Sequence, residues 1–462
     1  MRPINRDILK LALPSILANI TVPIVGMVDV AVAGHLSTSA ATMIGGIAIG
    51  SMLFDLLYWN FGFLRVGTGG LAAQAYGGGD RAECTRVLVR SLGIALSCAL
   101  FLIAIQWFFV RAAFLFVDCT PQVRDLASQY FFIRIWAAPA TLALMALKGW
   151  FIGMQDSVSA MVTDLTVNGM NILMSIVLAL GFTLGGWHYD GMGFPGVAVG
   201  TVVAQYSGLL VASILLLTRF RRNTLSALSP GDLSGVFKGV QMRRFMIMNA
   251  DLFVRSLCFI AIYIGFTVIS ARFGDTLLAV SSILMKLLMI FSYFTDGFAY
   301  AGEALVGRYI GAGDRHMYRQ SVKWTFIWSM SIALIFIGIY HFAGVPMLRL
   351  MTSDASVVQA AREYLPWLLL MPVVGCAAFT WDGIYVGATA SRQMRNSMLW
   401  AVVAFVAVWA LCNIVLNYVP SLFILGDGSV CFNRISMHFL MAAYFAHLLA
   451  RTVYLTIRSK II

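Results

Sequence analysis

Residues 92–110 read LGIALSCALFLIAIQWFFV, nineteen residues without a formal charge. A helix rises 1.5 Å per residue, so a run of this length spans roughly 30 Å, the thickness of a bilayer's hydrocarbon core. Lipid offers no water to backbone amides, so a spanning segment is either a helix or a strand of a closed barrel. Barrel strands are alternating segments of about ten residues. This run neither alternates nor stops at ten, and Met398–Val419 is a second run of the same kind.

The rest of the chain agrees. Its 462 residues are 60% hydrophobic and 11% charged, with a mean hydropathy of +0.86. Soluble domains carry about 25% charged residues. The pattern predicts an all-α integral membrane protein with twelve transmembrane helices, at 8–34, 42–67, 87–110, 126–148, 158–181, 193–218, 246–270, 277–301, 321–343, 362–387, 397–419 and 431–456. Arg2, Arg6 and Lys10 followed by Ala31-Val32-Ala33 imitate a cleavable signal, but the apolar stretch from Ile8 to Ala33 is too long for one.

A net charge of +12 could indicate nucleic acid. In a membrane chain it reads instead as basic residues gathered in cytoplasmic loops. One side holds Arg2, Arg6, Lys10, Arg81, Arg86, Arg90, the basic loop from Arg219 to Arg244, Arg308, Arg315, Arg319, Lys323, Arg392, Arg395, Arg458 and Lys460. The other holds Arg111, Arg124, Arg272, Arg349, Arg362 and Arg434. This asymmetry places both termini in the cytoplasm of a multi-pass protein of the cell's inner membrane, which requires an even number of spans.

Glycine and proline mark the connections, among them Gly77-Gly78-Gly79, Gly185-Gly186, Pro195 and Gly311-Ala312-Gly313. Two of these belong to a repeat. Gly70–Arg81 aligns without gaps on Ala304–Arg315, with Leu71/Leu305, Gly77/Gly311, Gly79/Gly313, Asp80/Asp314 and Arg81/Arg315 identical. The offset of 234 also pairs Tyr130 with Tyr364, Gly149 with Gly383, Gly153 with Gly387 and Ser157 with Ser391. Six helices per repeat preserve orientation, so the halves are parallel repeats of the kind transporters use. The chain divides into a six-helix lobe at 1–219, a cytoplasmic loop at 220–244 and a second six-helix lobe at 245–462.

Charges at membrane depth are costly, and they are either functional or paired. Asp29 stands out, because the residues around it are apolar and none within a turn or two is basic. Burial disfavours the charged form of a carboxylate, so such a group can exchange a proton near neutrality. A plain structural bond to a neighbouring hydroxyl or amide fits as well. Pro14 and Pro23 share its helix and allow a bend. Asp251 and Arg255 lie four apart and could pair, joined by Lys286 and Asp296 as an ion network or second coupling site. Arg65, Lys148, Glu303 and Asp382 fall near span ends, where a charge is ordinary, while Asp55, Arg134 and Asp164 lie deeper. Asn168, Asn171 and Ser175 on span 5, with Thr201 and Gln205 on span 6, either bind helices together or line a polar pocket with Asp29. Twenty-four methionines and 13% aromatic residues suit packing, and could also line an adaptable cavity.

Enzyme signatures are missing. There is no GxxxxGK[ST] phosphate loop, no HExxH, no GxSxG and no CxxC. The seven cysteines, Cys84, Cys98, Cys119, Cys258, Cys376, Cys412 and Cys431, fall mostly in apolar runs, and the six histidines form no metal-ligand pattern. No metal and no cofactor beyond a coupling ion, H⁺ or Na⁺, is expected. An intramembrane enzyme would need facing carboxylates such as Asp29 and Asp251.

Several motifs together resemble the MATE multidrug and toxin extrusion transporters, in their DinF-like branch. Val28–Leu36 is similar to the span 1 motif and Asp296–Gly307 to the span 8 motif. Asn249-Ala250-Asp251 with Arg255, Asp382–Thr389 and Gly196–Gln205 also fit. The resemblance implies two lobes in a V, alternating access, and H⁺- or Na⁺-driven export of organic, often cationic, compounds by a monomer. It makes Asp29 the coupling carboxylate, Pro14 the point of bending and Asn171 a pocket residue. Some members carry a second acid on span 5 where this chain has Ser175, which throws the weight onto Asp29. Small organic substrates and membrane lipid are the expected partners. A flippase for lipid-linked saccharides is the alternative, and it would show arginines and lysines facing the cavity.

Overall fold

The computed structural model describes residues 3–36, 40–115, 117, 119–184, 187–222, 224–227, 235–352, 354–418 and 432–461. Gly185-Gly186 and Cys431 lie outside them, as does part of the 220–244 loop. Among the described residues, twelve helices are long and apolar enough to cross a membrane. The elements run α1 (Pro3–His35), α2 (Ala40–Trp59), α3 (Phe63–Gly77), α4 (Arg81–Ala113), α5 (Pro121–Arg134), α6 (Ala138–Gly153), α7 (Ser157–Leu180), β1 (Phe182–Leu184), β2 (Trp187–Tyr189) and α8 (Phe194–Phe220). They continue with α9 (Gly239–Ala271), α10 (Asp275–Gly311), α11 (Arg315–Met351), α12 (Ala355–Glu363), α13 (Leu365–Gly387), α14 (Ser391–Tyr418) and α15 (Phe432–Arg458).

The spans outrun the apolar runs that announce them. The second covers Thr42–Gly77 and the fourth Pro121–Gly153, because helix hydrogen bonding continues wherever a cap or turn has not ended it. Both are broken by a single 3₁₀ turn, at Asn60–Gly62 and Ile135–Ala137. Pro139 follows the second break in the first turn of α6, where its missing N–H costs nothing. β1 and β2 form a small antiparallel hairpin that the hydropathy pattern does not announce.

Helix α4 shows the burial logic. Ala95, Ala99 and Leu102 are buried, whereas Leu100, Phe101, Trp107 and Phe108 are exposed. Small residues face the protein and large apolar ones face outward, as expected when the surroundings are as apolar as the interior.

The 234-residue repeat reappears in the hydrogen bonds. Gly78 N donates to Gln74 O, Gly79 N to Tyr76 O and Asp80 N to Ala75 O. Ala312, Gly313 and Asp314 donate to Arg308, Ile310 and Tyr309 at the same offset. Gly79 and Gly313 sit at φ +72° and +71°, a region natural only to glycine. The turns after α6 and α13 match too: Gln155 and Thr389, again 234 apart, have φ 65° and 54°. In each copy a glycine admits another helix's backbone. A Cβ on Gly149 would fall 2.1 Å from Arg65 O, and one on Gly383 would fall 2.0 Å from Ala299 O.

The chain forms two compact units. One, the N-unit, comprises Leu13–Asn249 with Gly307–Asp314; the other, the C-unit, comprises Met1–Ala12, Ala250–Val306 and Arg315–Ile462. Helix α1 passes from one to the other between Ala12 and Leu13, directly before Pro14. It stays helical through Pro14 and Pro23. Within the N-unit, a Cβ on Gly77 would lie 1.9 Å from Arg308 O and one on Gly311 would lie 2.0 Å from Gln74 O, so glycine is required at both. The C-unit core gathers Phe266, Phe291, Phe336, Tyr340, Tyr364 and Leu448, among others.

Candidate functional site

Helices α7 and α8 of the N-unit are drawn together by a stripe of small residues on α8, Gly196, Gly200, Ala204 and Gly208. A Cβ on Gly196 would meet Leu178 O at 2.4 Å, and one on Gly200 would meet Ser175 N at 2.7 Å. This close approach places Thr201 beside Asn171. Asn171 Nδ2 donates to Thr201 Oγ1 at 3.3 Å, and Thr201 Oγ1 donates to Val197 O at 3.3 Å.

One turn along α7, Ser175 Oγ lies 3.0 Å from Asn171 Oδ1 and 3.0 Å from Asp29 Oδ1. Asp29, Ser175, Asn171 and Thr201 are all buried, Asp29 at 7% exposure. Two acceptors compete for one hydroxyl proton. The sequence-predicted pocket residues thus meet in a continuous chain of bonds from α1 through α7 to α8. Asn168 ties α7 to α1 separately, donating to Thr21 Oγ1 at 2.5 Å. Gln205 is half-buried on α8 and is not part of this chain of bonds.

The sequence reading gave Arg134 no role, and it changes the electrostatics of the site. Its guanidinium stacks over Phe54 at 4.8 Å and Tyr130 at 5.6 Å, and Nη1 donates to Tyr130 Oη at 3.1 Å. It lies within electrostatic reach of both Asp29 and Asp55. Asp29 has no basic neighbour along its own helix, yet a cation reaches it from α5. The available signal was Tyr130 and Arg134 one turn apart on a helix that also carries Phe131.

The MatE family model matches residues 14–177 and 252–419, one stretch in each half of the chain. The chain belongs to the MatE family. It is 35% identical over 401 residues to the DNA damage-inducible protein F of Escherichia coli, covering 87% of this chain and 84% of that one. It is 21% identical to the probable multidrug resistance protein NorM of Thermotoga maritima, across 88% and 83% of the two chains. Among solved structures, an outward-facing multidrug resistance MATE family transporter of the MOP superfamily superposes with a TM-score of 0.83 at 14% identity, covering 99% and 96%. The protein is a multi-pass membrane transporter of a multidrug efflux family.

This MatE protein holds a second polar cluster in its C-unit, paired differently from the sequence expectation. Asp251 and Arg255 do not turn to each other. Asp251 Oδ1 accepts from Arg395 Nη1 at 2.6 Å and Asp251 Oδ2 from Ser391 Oγ at 2.8 Å. Arg255 Nη2 donates to Asp382 Oδ2 at 2.6 Å, and Arg451 Nη2 donates to the same oxygen. An intrahelical pair would join α9 only to itself, whereas these bonds join α9 to α13 and α14, and α13 to α15. Lys286 is exposed and Asp296 half-buried on α10. Asp382, read as an ordinary span-end charge, is instead the centre of the cluster, and Arg451 at 1% exposure is its deepest member. Arg451 carried the usual signal, a charge inside an apolar run, and the sequence reading passed over it. Lys148, also read as a span-end charge, pairs with Asp164 at 2.7 Å.

Proposed function

We propose that this MatE protein exports organic, often cationic, compounds by alternating access, driven by a proton gradient through Asp29. One observation carries the reading: a buried carboxylate and a buried amide oxygen share a single hydroxyl proton, on Ser175. While Asp29 is ionised, Ser175 donates to it. Once Asp29 takes up a proton, it can donate to Ser175, whose own proton then turns to Asn171. Protonation therefore reverses the bond between α1 and α7 and couples it to the α7–α8 contact. Pro14, without an amide donor, lets the protonated α1 bend at its lower half.

A proton suits this site better than a divalent cation. Hard cations such as Ca²⁺ and Mg²⁺ take about six oxygen ligands, more than the carboxylate, hydroxyl and amide oxygens assembled here. The flippase reading called for cations facing the cavity. In the C-unit polar cluster, Arg255, Arg395 and Arg451 are each paired with a carboxylate, so these three do not supply the cations that reading calls for. The loop charges favour cytoplasmic termini.

The test is dye efflux in inside-out vesicles, with H⁺ and Na⁺ gradients imposed separately. Wild type should respond to the proton gradient and Asp29→Asn should not, while retaining its melting temperature in detergent. Wild-type efflux by Asp29→Asn, or a response to Na⁺ alone, would overturn the assignment.

A further inference from the structure

A cavity of about 600 Å³ opens at one end of the C-unit, where α11 begins and α13 and α15 finish. It is lined by Arg315, Tyr318, Arg319 and Lys323 of α11, Trp381 of α13, and Ser459 and Lys460 just beyond α15. Positions 315, 319 and 323 are successive turns of one helical face, so the three cations form a ladder. Among the described residues, no carboxylate lines the cavity.

Basic residues near a membrane surface have a general cause, since cytoplasmic loops collect them. The internal repeat supplies a control for that cause. At the offset of 234, Arg315 corresponds to Arg81, but Arg319 corresponds to Thr85, Lys323 to Val89 and Trp381 to Leu147. In the N-unit the corresponding place holds a smaller cavity of about 430 Å³, lined by Arg81, Cys84, Arg219 and Thr224 among others, and Thr85 Oγ1 donates to Thr224 O beside it at 2.9 Å. A rule about loop charge acts on both halves alike, yet the C-unit cavity gathers four cations, Arg315, Arg319, Lys323 and Lys460, where the N-unit cavity has two, Arg81 and Arg219.

We propose that this cavity binds the phosphodiester headgroup of an anionic phospholipid. Guanidinium groups offer paired donors to phosphate oxygens, and basic pockets between spans on the cytoplasmic side suit such headgroups. Trp381 and Tyr318 provide the amphipathic aromatic surface typical of the lipid–water boundary. The cavity lies on the side that the loop charges assign to the cytoplasm. The bound headgroup would join α11 to the end of α15, two elements of the C-unit.

Purified full-length protein in detergent is titrated with phosphatidylglycerol, phosphatidylcholine or inorganic phosphate, and bound lipid is counted by native mass spectrometry. Phosphatidylglycerol should bind at least ten-fold more tightly than phosphatidylcholine. Each surface cation contributes about five-fold, so Arg319→Gln with Lys323→Gln should weaken binding roughly 25-fold. Arg392→Gln, an exposed cation on the same side, should bind as wild type does. The proposal fails if the double variant retains wild-type affinity, if phosphatidylcholine binds equally well, or if wild type binds no lipid. Inorganic phosphate binding as tightly as phosphatidylglycerol would overturn the lipid assignment in favour of a soluble phosphate.

Discussion

Gly200→Ala tests whether the spacing of α7 and α8 governs the site. The new Cβ would lie 2.7 Å from Ser175 N, where ordinary contact begins near 3.4 Å, so the two helices must part by roughly 0.7 Å. Both atoms that set the gap are backbone or close to it, and no side-chain rotation relieves it. The Asn171–Thr201 bond, already 3.3 Å, would open to roughly 4 Å, beyond the hydrogen-bond limit. Overpacking costs about 1–3 kcal/mol, while alanine's better helix propensity returns about 0.5–1 kcal/mol. The net destabilisation should therefore lie between about 0 and 2.5 kcal/mol. Losing the interhelical bond removes about 1 kcal/mol from the relay, which corresponds to transport slowed about five-fold. The assay is initial-rate dye efflux under a fixed pH gradient, normalised to folded protein. Gly169→Ala serves as the control, since its Cβ on the partner helix α7 would meet nothing within 4 Å. Equal rates for Gly200→Ala and wild type, with the protein folded, would refute the idea that α7–α8 spacing sets the relay.

Asp382→Asn should leave Arg255 and Arg451 with no counter-charge and destabilise the C-unit by about 3–5 kcal/mol, read as a large drop in melting temperature; an unchanged temperature would mean the cluster is not structural. Asp251→Ala or Arg255→Ala should act in the same direction, with lost transport at normal stability pointing to a mechanistic role instead. Arg134 occupies the Phe54 and Tyr130 faces that an organic cation would use. Arg134→Gln should therefore bind such a cation roughly three- to thirty-fold more tightly, the worth of a cation–π contact, and weaker binding would sink that reading. Asp354 accepts from Ser356 Oγ and caps α12 by accepting from Ser356 N and Val357 N, and these bonds, the hydroxyl's first, hold its carboxyl below the ordinary value of 3.8. Its folded value is depressed, so its contribution is complete above the ordinary carboxylate range and is lost as pH falls through the folded value. Amide exchange at Val357 should accordingly speed up only in acid, and Asp354→Ala should show that faster exchange at neutral pH.

Much of this architecture is local and therefore legible along the chain. An apolar run such as 92–110 must become a helix because nothing else satisfies its backbone in lipid. The glycine turns at 77–81 and 311–315 repeat because the same short-range bonds and the same left-handed residue recur at one offset. Asp29, Asn171, Ser175 and Thr201 could be nominated because a polar side chain in an apolar helix always needs a partner. Which partner each would find was another matter. Asp251 and Arg255 are neighbours on one helix, yet each is claimed by a closer counter-charge on a different one. Arg134 reaches the field of Asp29 from four helices away in sequence, and Asp382 gathers arginines from α9 and α15. Helix formation depends on residues within a turn, whereas charge pairing depends on which helix faces face each other, and only the packed structure decides that.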